Sequence, residues 1–282
     1  MACEISPDRV IAARSADSRQ VLSLCSTSEL QPGCVVPDLT ENNVHRRDLL
    51  VDALREALDE VGRGRSRDVI AILPDAAVRI VLLDFETLPE KDEEAEGVVR
   101  FRLRKSLPFD VDKAAVSYHA QKNDAGVRVI AAVGLRSVIE DYEAAIREAG
   151  FSPGVVLPST LAALGATPGE KGTLVIKVDA QTTSIALLDK QELLLFRSLE
   201  NPRGVSISPE QLAEDVYPSV VFFQDTYATN IEEVYLAGIS DPAGARAALY
   251  SQTGGEVKEL VQASQLGLGG GSIPKWRMAG VV

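Results

Sequence analysis

Asp68-Val-Ile-Ala-Ile-Leu73, closed at once by Pro74, constrains this chain more than any other stretch. A strand apolar on both faces belongs in the middle of a sheet covered on both sides, and helices provide that cover. A matching helix lies just upstream. Leu49, Leu50, Ala53, Leu54, Ala57, Leu58 and Val61 recur at helical spacing between Arg46 and Val61, and Gly62 stops the run. An amphipathic helix followed by a buried strand implies α/β construction.

The remaining segments extend that pattern. Arg9–Arg14 and Gln20–Cys25 read as strands joined by a polar turn at Ser15–Ser18, and Arg63–Arg67 as a short basic loop. Val78–Leu83 is a strand. An acidic run, Glu90–Glu96, then precedes a basic segment, Arg100–Lys105, as a helix dipole favours. The bland reading of that pattern is a solvated helix, and the sharper one is a charged docking surface. Ala115–Ala120 and Val127–Val133 are strands around a turn at Asn123–Gly126, and Ser137–Ala149 is a helix. Phe151-Ser-Pro-Gly154 reads as a linker, with a short helix starting at Pro158-Ser-Thr. Thr173–Val178, Thr183–Leu188 and Glu192–Ser198 form a meander. Ser208-Pro-Glu-Gln211 is a helix-start signature, a cap with Pro at the first helical position, and that helix runs to about Tyr227. Glu232–Ala237 is a strand into Gly238, followed by a helix after Asp241, and Gly267–Gly271 is glycine-rich. The expected division is a first domain over 1–150, with an extra subdomain near 76–150, and a second over 151–282.

Composition narrows the function classes. The 282 residues carry a net charge of −12. The acidity spreads over both halves, which argues against nucleic-acid binding and against direct docking on an anionic membrane surface. Cys3, Cys25 and Cys34 do not form a metal-binding spacing, and only His45 and His119 supply imidazoles. The cysteines are expected to be small buried hydrophobes, and no metal site or Ser/His/Asp arrangement is legible. The start has no apolar leader-like core, so a cytoplasmic protein is expected.

Three stretches resemble the PilM family, actin-like cytoplasmic proteins of type IV pilus assembly. The first runs from Leu73-Pro74 through Leu88-Pro89 and the Glu-rich helix to Leu107-Pro108-Phe109-Asp110 and a strand at Tyr118. The second comprises Ala131-Ala-Val-Gly134, the helix around Tyr142 and Glu148-Ala-Gly-Phe-Ser-Pro153. The third comprises Val178-Asp179, the meander and Tyr235-Leu-Ala-Gly238. The resemblance implies a two-domain actin-like (ribonuclease H-like) fold with a small α/β subdomain inserted in the first domain. It implies a role in the inner-membrane assembly platform of the type IV pilus or of type II secretion, where related modules form the cytoplasmic part of GspL. The implied partner is the cytoplasmic tail of a PilN-like membrane protein. Membrane association then comes only through partners, at the inner membrane, and self-association is open.

The phosphate-binding turns depart from the family pattern. Such turns need glycine so that backbone N–H groups approach the phosphates. At the first, Glu4-Ile-Ser-Pro-Asp8, the glycine position is Ser6, Pro7 lacks a donor, and Arg9 is the only substitute for the usual Lys. Glu4 itself reads as a surface strand residue. At the second, Asp179-Ala-Gln-Thr-Thr-Ser184, the glycine position is Gln181 or Ala180. Asp179, Thr182, Thr183 and, in the adenosine loop, Gly238 are the residues that would meet ATP and Mg if nucleotide bound. The segment between Ser198 and Ser208 is short, so the nucleotide-side subdomain of the second domain is expected to be largely lost. The expectation is therefore a degenerate scaffold without cofactor or catalytic residues. The alternatives are an active actin-like ATPase that binds ATP and Mg, or a sugar- or acetate-kinase relative. Trp276–Val282 reads as the first turns of an apolar helix, with Trp276 in a packing role, and the natural chain is expected to continue beyond it.

Overall fold

A computed structural model of the chain describes residues 1–15, 21–62, 66–123, 126–266 and 273–281. The expected turn at Ser15–Ser18, the basic loop at Arg63–Arg67, the turn at Asn123–Gly126 and the tract Gly267–Gly271 lie wholly or partly outside the described residues. Thirteen strands among them form three sheets.

The first sheet has the order β3-β2-β1-β4-β8: β1 (Ala2–Ile5), β2 (Arg9–Ser15), β3 (Leu22–Glu29), β4 (Asp68–Leu73) and β8 (Ser152–Pro158). β1, β2 and β3 form an antiparallel meander, and β4 and β8 add in parallel. Helices α1 (Arg47–Gly62) and α3 (Arg136–Glu148) cover one face. The apolar stripe of α1 is the reason: Leu50, Leu54 and Leu58 are fully buried with Tyr142 and Ile146 of α3. Truncating one such leucine to alanine removes about 2–5 kcal/mol.

The second sheet has the order β11-β10-β9-β12-β13: β9 (Thr173–Val178), β10 (Thr182–Asp189), β11 (Glu192–Glu200), β12 (Glu233–Ala237) and β13 (Glu256–Glu259). Its strand directions repeat those of the first sheet. It is covered by α5 (Pro209–Tyr227) and α6 (Pro242–Thr253), through Leu212, Val216, Phe223 and Leu249. The Ser208 side chain accepts a hydrogen bond from the Gln211 amide at 3.2 Å, so the cap legible in the sequence forms.

The faces of the two sheets away from these helices share a third apolar cluster, with Ile11 and Ile72 from one side and Val175 and Ala186 from the other. The short α4 (Ser159–Leu164) and Met278, Ala279 and Val281 fill it out.

The small sheet β5-β7-β6 is the insert: β5 (Arg79–Phe85), β6 (Ala114–Asn123) and β7 (Gly126–Leu135), with α2 (Asp92–Leu103) packed on it through Ala95, Val99 and Leu103. It therefore spans 79–135. The expected 76–150 took in α3, whose apolar face instead packs in the first domain's core. The expected linker Phe151–Gly154 is also corrected. Ser152 begins β8, which pairs with β4 along its length, so the first sheet extends past the expected division at 150/151.

Candidate functional site

In each sheet the first two strands are joined by a tight turn, and the two turns face one another across the molecule. Ser6 N donates to Arg9 O and Asp179 N donates to Thr182 O, both at 2.9 Å, so the turns have the same local form. At the second, the Asp179 carboxylate is committed to its own loop. Oδ1 accepts from the Gln181 and Thr182 amides at 2.8 and 2.7 Å, and Oδ2 from Thr182 Oγ1 at 2.9 Å. The two amides that a phosphate at this turn would need are thereby occupied.

The segment that follows β11 closes over this turn. Asn201 N donates to Gln181 O at 2.7 Å, and Asn201 Nδ2 donates to Thr183 Oγ1 and Gly204 O, each at 3.1 Å. Gly204 sits at φ +53°, where an added Cβ would stand 2.9 Å from Ala180 O. Ser240 Oγ donates to Val205 O at 3.3 Å, joining the segment to the loop after Gly238. Gly238 sits at φ +80°, so near β9 that a Cβ would fall 1.6 Å from Val178 O. Its amide donates to Trp276 O at 2.9 Å. The Arg9 and Arg277 guanidiniums lie over the Trp276 ring, at 6.0 and 4.8 Å from its centroid.

Below the turns lies a buried charged network that joins the two domains. Lys177 of β9 pairs with Glu4 of β1 at 3.1 Å, with side-chain exposures of 8 and 5%. Glu4 also accepts from Ser159 Oγ. Asp75, just after β4, accepts from Thr160 N at 2.9 Å, from Thr160 Oγ1, and from Ser184 Oγ of β10 at 2.8 Å. Burial opposes charge on Lys177, but Glu4, Asp179 and Asp75 outweigh it and hold the ammonium above its ordinary value. Burial raises the Asp75 carboxyl, with Lys177 opposing. Glu4, expected at the surface, is 4% exposed because its partner Lys177 stands in the strand across the domain interface. Lys177 went unnoticed in the sequence. A lone lysine in an otherwise apolar strand is the signal that finds it, since a buried charge requires a partner.

Between the turns and this network remains a space of about 20 Å³, lined by Glu4, Ser6, Lys177, Asp179, Val205, Gly238 and Trp276 among others. That is room for about one water, whereas small-molecule sites run to roughly 300–1,000 Å³. The structure brings Asp179, Gly238 and the Glu4–Arg9 turn together. Thr182 and Thr183 are buried in bonds of their own. The residues present do not fit a nucleoside triphosphate with Mg: the Asp179 carboxylate is capped by its own loop, Lys177 is paired with Glu4, and the two turns carry Ser6-Pro7 and Ala180-Gln181 without a glycine.

An open groove of about 780 Å³ adjoins the second turn, whose Ala180, Gln181 and Thr182 line it together with Asp75. The outer strand of the second sheet, β11, borders it through Phe196–Asn201. The insert's outer strand, β5, borders it through Arg79 and Ile80, and Pro37–Leu39 form its end. That last loop is held by the fully buried Asn43, whose Nδ2 donates to Asp38 O and Glu41 O at 2.8 Å and whose Oδ1 accepts from Tyr142 OH at 3.1 Å. Arg128 of β7 braces the insert against the second domain by donating to Tyr227 OH at 3.1 Å, while pairing with Asp84 at 2.7 Å. Elsewhere, burial pushes the half-buried Cys25 thiol up to about 11 and raises Cys3 and Cys34, so none is a ready thiolate. His45 and His119 are exposed. Among the described residues, no three His, Cys, Asp or Glu gather as a metal site, and no helix is long and apolar enough to cross a membrane.

Two domains of one topology, a central filled cleft and an insert after β4 decide the architecture. The fold is actin-like. It is similar to the PilM-PilN type IV pilus biogenesis complex, with a TM-score of 0.79 at 19% identity, covering 99% of this chain and 94% of that one. It is also similar to the cytoplasmic domain of EpsL, an inner membrane component of the type II secretion system of Vibrio cholerae, with a TM-score of 0.52 at 10% identity, covering 83 and 80%. No protein-family model matches the chain, and no curated protein sequence matches it.

Proposed function

We propose that this actin-like protein is a binding scaffold of an inner-membrane assembly platform, of the type IV pilus or type II secretion kind, and not a nucleotide-turnover enzyme. The observation that carries the reading is that the polar groups of the turns are already bonded, Asp179 by its own loop and Lys177 by Glu4, with about 20 Å³ left between them, while the 780 Å³ groove reaches from the outer side of the second turn to the insert. The groove is flanked by two sheet edges, β5 and the Phe196–Glu200 end of β11, and a sheet edge can take an added strand. An extended segment suits it, and the occupant we assign is the cytoplasmic tail of a PilN-like membrane protein. The chain then sits at the inner membrane through that partner, because its own net charge of −12 is repelled by anionic lipid.

The test is binding of labelled PilN-like tail peptides, followed by fluorescence anisotropy. The wild type binds, and Ile80→Asp, which places a carboxylate on the half-buried β5 side of the groove, loses at least about tenfold in affinity, or 1.4 kcal/mol. Equal binding by both proteins, or capture of no pilus or secretion tail, contradicts the reading.

A further inference from the structure

The helix α2 presents a face that its own chain does not use. Ala95, Val99 and Leu103 point inward. At 100° per residue the opposite face carries Glu94, Gly97, Phe101 and Arg104, spaced three, four and three residues apart, with Glu93, Val98 and Lys105 beside them. That spacing matches the a/d positions of a helix–helix seam, with Phe101 as its large apolar member and Gly97 as its small one. Phe101 is 65% exposed and Val98 37%, and Phe101 is the most exposed large apolar side chain among the described residues.

Gly97 adds an independent observation. Glycine weakens a helix interior. Here it sits in the middle of α2, at no positive φ, and a Cβ built on it meets nothing within 4 Å. The fold of the chain does not ask for glycine there. A glycine there leaves room for the close approach of another molecule.

The charges specify which molecule. The acidic residues Asp92, Glu93 and Glu94 open the helix, and Arg102, Arg104 and Lys105 close it. We propose that α2 pairs antiparallel with α2 of a second copy of this chain. With the two-fold axis at the level of Val99, Glu94 of each copy faces Arg104 of the other, Phe101 seats on Gly97, and Glu93 faces Lys105. Every contact occurs twice, as a two-fold interface requires. The antiparallel helix dipoles attract as well. Within the chain, Glu94 pairs with Lys91 at 2.9 Å and Arg104 approaches Asp112 at 3.9 Å. Both are exposed contacts of little worth and yield readily. Specific stable interfaces bury roughly 1,200–2,000 Å², and a seam of three turns per copy is smaller, so this dimer forms and dissociates with concentration. The inference does not depend on the scaffold reading.

Sedimentation equilibrium across the micromolar-to-millimolar range tests it. The wild type moves from the 30.2 kDa of one chain toward twice that mass. Glu94→Arg and Arg104→Glu each stay monomeric alone, and their equimolar mixture dimerises, because both cross-pairs are then of opposite sign. Gly97→Leu stays monomeric although thermal unfolding finds it at least as stable as the wild type, which separates lost pairing from lost folding. A wild type that is monomeric throughout, a dimer that survives the single charge reversals, or a mixture that stays monomeric overturns the proposal.

Discussion

The two domains are built on one plan and differ where a nucleotide would sit. β1-β2 corresponds to β9-β10, and their registers place Glu4 opposite Ile11 and Lys177 opposite Ser184. Glu4 and Lys177 are thus equivalent positions of the two halves, with opposite charges, and they pair with each other. The halves diverge after their fourth strands. The first runs from β4 into the insert before reaching α3, whereas the second turns at Gly238 and goes almost directly into α6. The difference teaches how an actin-like frame can be changed without being lost. The equivalent turns share one local form, their facing charges pair between the domains, and an insert follows the fourth strand of the first half only.

Gly238→Ala forces a left-handed backbone and a contact with Val178 O that cannot relax, so little folded protein is recovered in the soluble fraction. Gly204→Ala, its milder counterpart, remains folded. Lys177→Met leaves Glu4 buried and unpaired and lowers the unfolding free energy by about 3–5 kcal/mol in urea titration. The double change Glu4→Leu with Lys177→Met recovers most of that loss. If the double variant is as unstable as the single one, the equivalent charges are not a clamp. The smallest effect is in pH. Because the Lys177 ammonium is held above its ordinary value of 10.5, its stabilisation is complete below that pH and is lost as pH rises through the folded value. The stability gap between wild type and Lys177→Met therefore stays constant up to about pH 10 and narrows above it.

Much of the frame was legible because its elements are long and periodic. α1, β4, the meander and α5 with its Ser208 cap lie where pattern and turn chemistry place them. Three strands were not legible. β8 holds Pro153 and Gly154, which read as breakers, yet it is an edge strand, where a missing N–H costs nothing. Its register shifts opposite Val69/Ile70, and Gly154 takes the extra place. β1 is four residues long with Glu4 inside it, and β13 is Glu-Val-Lys-Glu at the other sheet's edge. β1 is held between its hairpin partner β2 and the distant β4, and β13 pairs with β12 across α6. The same holds for the site. Asp179 and Gly238 are reached through the resemblance to the family's loops, but Lys177 and Asp75 matter only because strands from different domains bring them to Glu4 and Ser184. The groove is a product of the insert's position, which no short motif encodes.

The central claim is that the cleft between equivalent turns has become a structural joint. Isothermal calorimetry of the whole chain with Mg and ATP tests it most directly. The account predicts no heat of binding up to millimolar nucleotide, because the turns leave about 20 Å³ and Lys177 is bound to Glu4. Saturable micromolar binding of ATP, abolished by Asp179→Ala, would contradict it.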